Sequence, residues 1–439
     1  MQQKKKLALA VLIQSALVST AFASEQSESK GFVEDAEGSV LFRTGYLTRD
    51  KKNGVADTSS FAQTAIVKLD SGFTQGTVGF GVGIIGDASF KLGENGHTGN
   101  DMIPTHPQAN PDGTQDAYDH WARGGAYLKA RVSNTTATYG TQVLDLPVLA
   151  SNTARLVPEY FTGLLVESNE IENLSLTAGK FTENQLSDQI NSDGAELDRA
   201  VVWGAKYQFN DNLNASYYGT DIKDRLDRHY INTNYSYALA NDSTLTHDFS
   251  GYYTKWDKEA NQYLYSQIGS PDDSFDNTIL ALSTTYNHGP HNVMVAYQQN
   301  FGNTGYDYGL GTGVGDGKQS IYLPNSYLSD FIGNDEKSVQ LQYTFDFGAV
   351  NVPGLSWTSA FVYGWDIKAS NNAGTMISDN EHEREFFNQV KYTVQSGFAK
   401  DTSLRLRHSY YRASDAYETT YIGDTNEWRI WLDIPVKLF

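Results

Sequence analysis

Cysteine is absent from the 439 residues, which removes a disulfide scaffold, a thiolate zinc cluster and a thiol nucleophile together. Proline is scarce at 10 residues. No proline- or serine-rich run and no charge block marks a linker, although a soluble chain of this length usually divides into two or three domains. Beyond residue 23 there is no apolar run of about 18 residues, so no membrane-spanning helix is encoded there. Basic residues are in deficit: 33 Lys and Arg face 52 Asp and Glu, a formal charge of −19 that argues against a general nucleic-acid binder. Disorder is disfavoured too, because charged residues are only 19% of the chain and aromatics reach 13%, with 28 Tyr, 21 Phe and 7 Trp.

What is present begins with a distinct leader. Lys4, Lys5 and Lys6 precede an apolar stretch from Leu7 to Ala23 that ends in Ala21-Phe22-Ala23. A basic start, a short apolar core and a small-x-small site predict a secretory signal peptide over 1–23, cleaved to leave 24–439 as one domain. An uncleaved anchor is the rival, disfavoured by the short core and by Gln14 and Ser15. Cleavage leaves 30 basic residues against 52 acidic, a charge of −22.

The remainder alternates. Val339, Leu341, Tyr343, Phe345 and Phe347 share one face, and Ser338, Gln340, Gln342, Thr344 and Asp346 the other. Trp357, Ser359, Phe361, Tyr363, Trp365 and Ile367 form a second row, and Ile430, Leu432, Ile434, Val436 and Leu438 a third, opposite Arg429, Trp431, Asp433, Pro435 and Lys437. Period two over segments of roughly ten residues, split by Asn, Asp and Gly, predicts strands. Repeated from residue 38 to 439, it predicts an all-β fold: a transmembrane antiparallel β-barrel with apolar side chains toward lipid and polar ones toward the lumen. A soluble β-sandwich or propeller also alternates. The leader, the missing cysteine and a strand running to Phe439 favour the barrel. The 416 residues after the leader suffice for roughly 14 to 18 strands. Residues 87–120, 141–161 and 301–336 are too long and too rich in Pro or Gly for turns, so they predict long outer loops, some folded inward to narrow the pore.

Known catalytic patterns fit poorly. Gly81-Val82-Gly83-Ile84-Ile85-Gly86 matches GxGxxG but lies inside a strand pattern, not at a strand-to-helix turn. Its glycines are expected to clear the lumen side for an in-folded loop. His288 and His291 flank Gly289-Pro290 and read as a turn, with no third ligand to make a metal site. No cofactor is implied. An outer-membrane β-barrel enzyme, a hydrolase, stays open as the alternative.

The informative residues are basic. In Ser403-Leu404-Arg405-Leu406-Arg407 the leucines take the lipid face, which sends Arg405 and Arg407 into the lumen. The same parity sends Arg429 inward opposite Ile430 and Leu432, Lys391 opposite Tyr392 and Val394, and Arg131, with Lys129, opposite Ala130 and Val132. Arg43 follows less cleanly. A row of permanently charged, fork-shaped guanidinium groups in a narrow lumen suits the passage of carboxylates; the rival is that each balances an acidic neighbour on the wall.

Several longer stretches carry a resemblance. They are Gly31-Phe-Val-Glu-Asp-Ala36, Ser71-Gly-Phe-Thr-Gln-Gly-Thr-Val-Gly-Phe-Gly81, Arg123-Gly-Gly-Ala-Tyr-Leu-Lys-Ala-Arg-Val-Ser-Asn-Thr-Thr136, Leu156-Val-Pro-Glu-Tyr-Phe-Thr-Gly163, Asn325-Ser-Tyr-Leu-Ser-Asp-Phe331 and Val394-Gln-Ser-Gly-Phe-Ala-Lys-Asp401. In collinear order from residue 31 to 439, the chain resembles the OprD family of outer-membrane porins, the outer-membrane carboxylate channels, and its Acinetobacter members in particular. The resemblance implies a barrel of 18 strands with inward-folded constriction loops, monomeric or weakly trimeric, in the outer membrane of a Gram-negative bacterium among lipid and lipopolysaccharide. It implies passive, substrate-selective uptake of small carboxylate-bearing molecules (amino acids, aromatic acids, carbapenems) and no enzymatic step. It places Arg43, Arg131, Lys391, Arg405, Arg407 and Arg429 in segments matching the family's basic ladder. Tyr327 and Asp330, and more weakly Asp316, fall in the opposing acidic and tyrosine-containing pocket. The chain departs from the family pattern most over 87–120.

Overall fold

In the computed structural model, which describes residues 24–93, 99–111, 115–263, 267–270, 273–310, 320–371 and 373–439, the alternating segments become a single sheet of 18 strands. The leader therefore lies outside the described residues, as does Asp316. The first nine strands are β1 (Glu37–Lys51), β2 (Thr58–Asp70), β3 (Val78–Lys91), β4 (His120–Val132), β5 (Thr135–Gln142), β6 (Tyr160–Ile171), β7 (Leu174–Gln185), β8 (Ala200–Asn210) and β9 (Leu213–Ile222). The rest are β10 (Leu226–Leu239), β11 (Ser243–Trp256), β12 (Asp276–His288), β13 (His291–Gly302), β14 (Lys337–Asp346), β15 (Leu355–Ser370), β16 (Met376–Thr393), β17 (Ser403–Ala413) and β18 (Thr425–Lys437). Each pairs antiparallel with its sequence neighbour. β1 also pairs with β18, from Ser39 opposite Lys437 to Lys51 opposite Thr425, so the sheet closes without a free edge. The expected closed antiparallel barrel and its strand number both hold.

Period two decides which side chains see which medium. Phe80, Leu128, Leu282, Leu341 and Leu404 lie exposed on the outer wall, while Ser60, Thr64, Gln298, Ser338 and Gln340 are buried on the inner one. At the end that carries both chain termini the connections are short. Asn173 (φ 64°) and Asp242 (φ 53°) there take the left-handed conformation that Asn and Asp tolerate in tight turns. His288 and His291 face each other across such a turn.

The opposite end carries the long loops. The strands claim part of each stretch expected to be loop, since β3 reaches Lys91, β5 reaches Gln142 and β13 reaches Gly302. Part of what remains folds inward, while residues 106–109 and 115–116 stay exposed. Met102 and Ile103 of the 92–119 loop and Leu156 and Val157 of the 143–159 loop pack with Leu47, Ala62, Trp121 and Trp431 of the wall. Leu144, Leu146 and Val148 join Tyr306, Tyr308, Leu310, Leu323 and Ile332 of the 303–336 loop against Phe181, Tyr230, Tyr252 and Ile279. The hydrophobic core thus sits inside the barrel. Each such side chain buried contributes about 1.5–3 kcal/mol against the ordering entropy of its loop.

Two local expectations change. The glycines of β3 do leave their lumen side bare, but the space is not taken by an in-folded outer loop. A Cβ at Gly79 would stand 2.2 Å from Gln26 Oε1, at Gly81 2.9 Å from the Gly72 carbonyl, and at Gly83 2.1 Å from the Tyr127 ring. The N-terminal segment, a turn from the terminus end and a wall side chain occupy it instead. Ile367 does not continue the outward row of Trp357 and Phe361. Asp366 adopts φ 61° and the pairing with β16 skips from Gly364 to Ile367, a bulge that turns Ile367 inward to 0% exposure.

Candidate functional site

Parity places the basic residues on adjoining strands of one wall. Lys391 on β16 faces inward with Gln389 and Phe387; Arg405 and Arg407 on β17 face inward with Ser409. Arg429, Trp431 and Asp433 follow on β18, and Arg43, Leu47 and Arg49 on β1. Register then sets cation beside cation, with Lys391 opposite Arg405 and Arg407 opposite Arg429. Like charges directly across a ladder destabilise a sheet unless an anion intervenes.

The anions that do intervene are unevenly shared. Arg43 Nε lies 2.7 Å from Asp433 Oδ1 and its Nη2 3.1 Å from Oδ2, a fork-on-carboxylate pair, with the guanidinium 5.3 Å over Trp431. Arg49 Nε meets Glu427 at 2.8 Å, and the other oxygen of Glu427 accepts from Arg429 Nε. Arg429 is enclosed at 0% exposure, with Nη1 donating to the Ala154 carbonyl at 3.5 Å. Its place is behind the pore surface rather than on it. Arg407 lies 5.0 Å over the Phe387 ring. Arg405 has no hydrogen bond or ion pair among the described residues; the charges acting on it are Arg43, Asp433 and Arg429, two of them positive. Lys391 is exposed to the lumen, also without a hydrogen bond or ion pair among the described residues. Arg131 stands apart on β4 opposite Gly79, where Nε donates to Gln26 Oε1 at 3.1 Å, Glu25 lies at 3.7 Å and Phe73 lies beneath the guanidinium.

Tyr327 and Asp330 reach the lumen on the in-folded 303–336 loop but differ in role. The Tyr327 ring stacks on Phe387 at 4.2 Å, so it adjoins Arg407 across that ring. Its hydroxyl donates to Gln342 Oε1 at 2.5 Å and accepts from Gln340 Nε2 at 2.7 Å. Burial, and then the Glu385 carboxylate, push its phenol above the ordinary range, which keeps it a protonated donor. Asp330 is 1% exposed, and its carboxylate accepts from Tyr308 and Ser326 within the loop. It therefore shapes the loop from inside instead of facing the pore.

Alternation alone did not single out the cations that hold the loops. Arg123 on β4 is fully buried with Asp87 at 3.0 Å, donates to the carbonyls of Leu186 and Pro158 at 2.6 Å each, and lies over Tyr160. Arg228 on β10 donates to the Asp307 and Tyr308 carbonyls and lies 4.2 Å over Tyr306. Arg155 in the 143–159 loop donates to the Asn100 carbonyl at 2.9 Å and ties that loop to 92–119. Arg123 shares its face with Lys129 and Arg131, so parity contained it; nothing in the sequence shows that its partners are carbonyls of distant loops. His288 and His291 hydrogen-bond Ser243 and Tyr343 respectively. No group of three or more metal-ligating side chains occurs among the described residues.

Comparison with known proteins agrees with this geometry. Residues 30–438 match the family model described as outer membrane porin, OprD family. The chain is 36% identical to Porin D of Pseudomonas aeruginosa over 448 residues, covering 96% of this chain and 95% of that one. It superposes on the crystal structure of Acinetobacter baumannii OccAB1 with a TM-score of 0.89 and 65% identity, over 95% of this chain and 100% of the other. Pseudomonas aeruginosa OccK2, solved in complex with glucuronate, superposes with a TM-score of 0.76 and 25% identity over 93% of this chain and 100% of that one.

Proposed function

The chain belongs to the OprD family of outer-membrane porins, and from this we propose that it passes small carboxylate-bearing molecules down their gradient along the basic wall. The barrel sits in the Gram-negative outer membrane, and its in-folded loops leave the lumen narrow. The observation that carries the reading is the pair Lys391 and Arg405, opposite each other and, among the described residues, neither hydrogen-bonded nor ion-paired to a carboxylate. A substrate carboxylate supplies that anion. It is handed toward Arg407 and Arg43, each contact weak enough to release it. Arg43, already paired with Asp433, binds more weakly than Arg405. Arg131, Arg429 and Tyr327 contribute field and shape, and Asp330 holds the loop. Amino acids, aromatic acids and carbapenems have the required group and size, and the glucuronate held by OccK2 is itself a carboxylate. Passage of this kind needs no bond made or broken and no cofactor, and the relatives, which are porins, lend the hydrolase alternative no support. We further propose that residues 1–23 are removed on export and that one barrel conducts alone or in a weak trimer.

The test is carboxylate flux into liposomes for Arg405→Ala and Lys391→Ala. A charge-assisted contact is worth about 1.5–3 kcal/mol before screening, so a fall of about tenfold is expected, with single-channel conductance in plain salt changing far less. Carboxylate flux equal to that of the parent would sink the reading, and conductance would show that the pore had formed.

A further inference from the structure

The outer wall carries a charged feature that conduction does not use. On β16 the outward residues Tyr392, Val390 and Phe386, and on β17 Leu404, Leu406 and Tyr410, are exposed and apolar or aromatic, as a lipid-facing surface must be. The next outward positions toward the long-loop end are Arg384 and Arg412. They lie directly opposite each other in the ladder. Arg412 is fixed in place. Its Nη1 donates to the Thr425 carbonyl at 3.1 Å, its Nη2 to Asn426 Oδ1 at 3.0 Å, and its guanidinium lies 3.8 Å over the Tyr410 ring. Asp424, 3.5 Å from its Nε, and Asp50, which accepts from the same Asn426, offset part of its charge. Arg384 has no such offset. It is exposed, without a hydrogen bond or ion pair among the described residues. Its in-register neighbours are Tyr363 and Arg412, and Phe386 and His382 flank it along the strand; none is a carboxylate.

An arginine on a barrel's lipid face is tolerated only near the membrane interface, where its cost falls from about 2–4 to about 0–1 kcal/mol. The aromatics just below Arg384 mark that level. A phosphate would take up the open fork of Arg384, whose planar geometry matches phosphate oxygens; Arg412, whose Nη1 also donates to the Tyr411 carbonyl, adds its charge and one remaining Nη2 hydrogen. The site faces away from the lumen, so a permeating substrate cannot fill it. We propose that Arg384 and Arg412 bind the phosphate of a phosphorylated lipid headgroup in the leaflet at the long-loop end of the barrel.

Native mass spectrometry of the full barrel in detergent tests this, titrating lipid A bearing two phosphates, the same lipid stripped of phosphate, and inorganic phosphate. The phosphorylated lipid should bind. Arg384→Gln should weaken it about tenfold, the worth of one charge-assisted contact, and Arg384→Lys, which keeps the charge and loses the fork, should fall between. Lys180→Gln, which removes another outward cation on β7, should leave binding and conductance unchanged, as should Arg384→Gln for conductance. Equal binding of the stripped lipid, an equal loss in Lys180→Gln, or displacement by inorganic phosphate at the lipid's own concentration would each overturn the site.

Discussion

Asp433 decides how much of Arg43 a permeating anion can feel. The two residues lie 390 positions apart in sequence and are brought together only because the first and last strands pair. Alternation reveals that Arg43, Arg405 and Lys391 point inward; it cannot reveal that Asp433 forms its ion pair with Arg43 rather than with Arg405. The same blindness applies to Arg429, which shares its strand face with Asp433 yet is enclosed behind Glu427. A partly exposed ion pair is worth about 0.2–1 kcal/mol. Asp433→Asn is accordingly expected to raise the anion-over-cation permeability ratio by about twofold, read from the reversal potential across a salt gradient. An unchanged ratio would place Arg43 outside the permeation path.

At the scale of elements, strands were legible and their irregularities were not. Period two located the sheet, because each strand must present one face to lipid and the other to water, and Pro- or Gly-rich length located three of the long loops but not the connections over 186–199 and 257–275. It could not foresee the bulge at Asp366 that turns Ile367 inward, since a single left-handed residue leaves the pattern on either side intact. Nor could it say what fills the glycine face of β3, because Gln26 and Gly72 arrive there through tertiary packing. The loops themselves depend on buried cations. Arg228→Ala would remove the donor that the carbonyls of Asp307 and Tyr308 share inside the lumen, at about 1–3 kcal/mol each. The 303–336 loop is expected to leave its seat, so single-channel conductance should rise and become noisier while the barrel still forms. An unaltered, quiet conductance would mean that the apolar contacts of Tyr306 and Tyr308 suffice alone.

For the whole molecule, the charge of −22 expected after loss of the leader is a poor guide to what the pore admits. Acidic residues on exposed loops and turns act within about 10 Å at 0.1 M salt and the inner-wall carboxylates Asp433 and Glu427 are paired with arginines, whereas Lys391 and Arg405 act inside a confined lumen where screening is weaker. Anion preference should therefore persist from 0.1 M salt and fade near 1 M, where the screening length drops to about 3 Å. Reversal potentials measured across that range check this, and a preference that grew with salt would contradict it. The missing linker and the modest hydrophobic fraction of 39% follow from the same architecture, since one closed sheet uses the whole chain and needs apolar residues only at alternate positions. Closure also imposes an order of events. The strand that seals β1 is β18, which follows the other seventeen along the chain, so the edge of β1 keeps its ladder donors and acceptors unpaired until β18 is present. However the other strands pair, the sheet keeps two open edges until β18 joins both β17 and β1, so loss of that one strand would expose both edges at once.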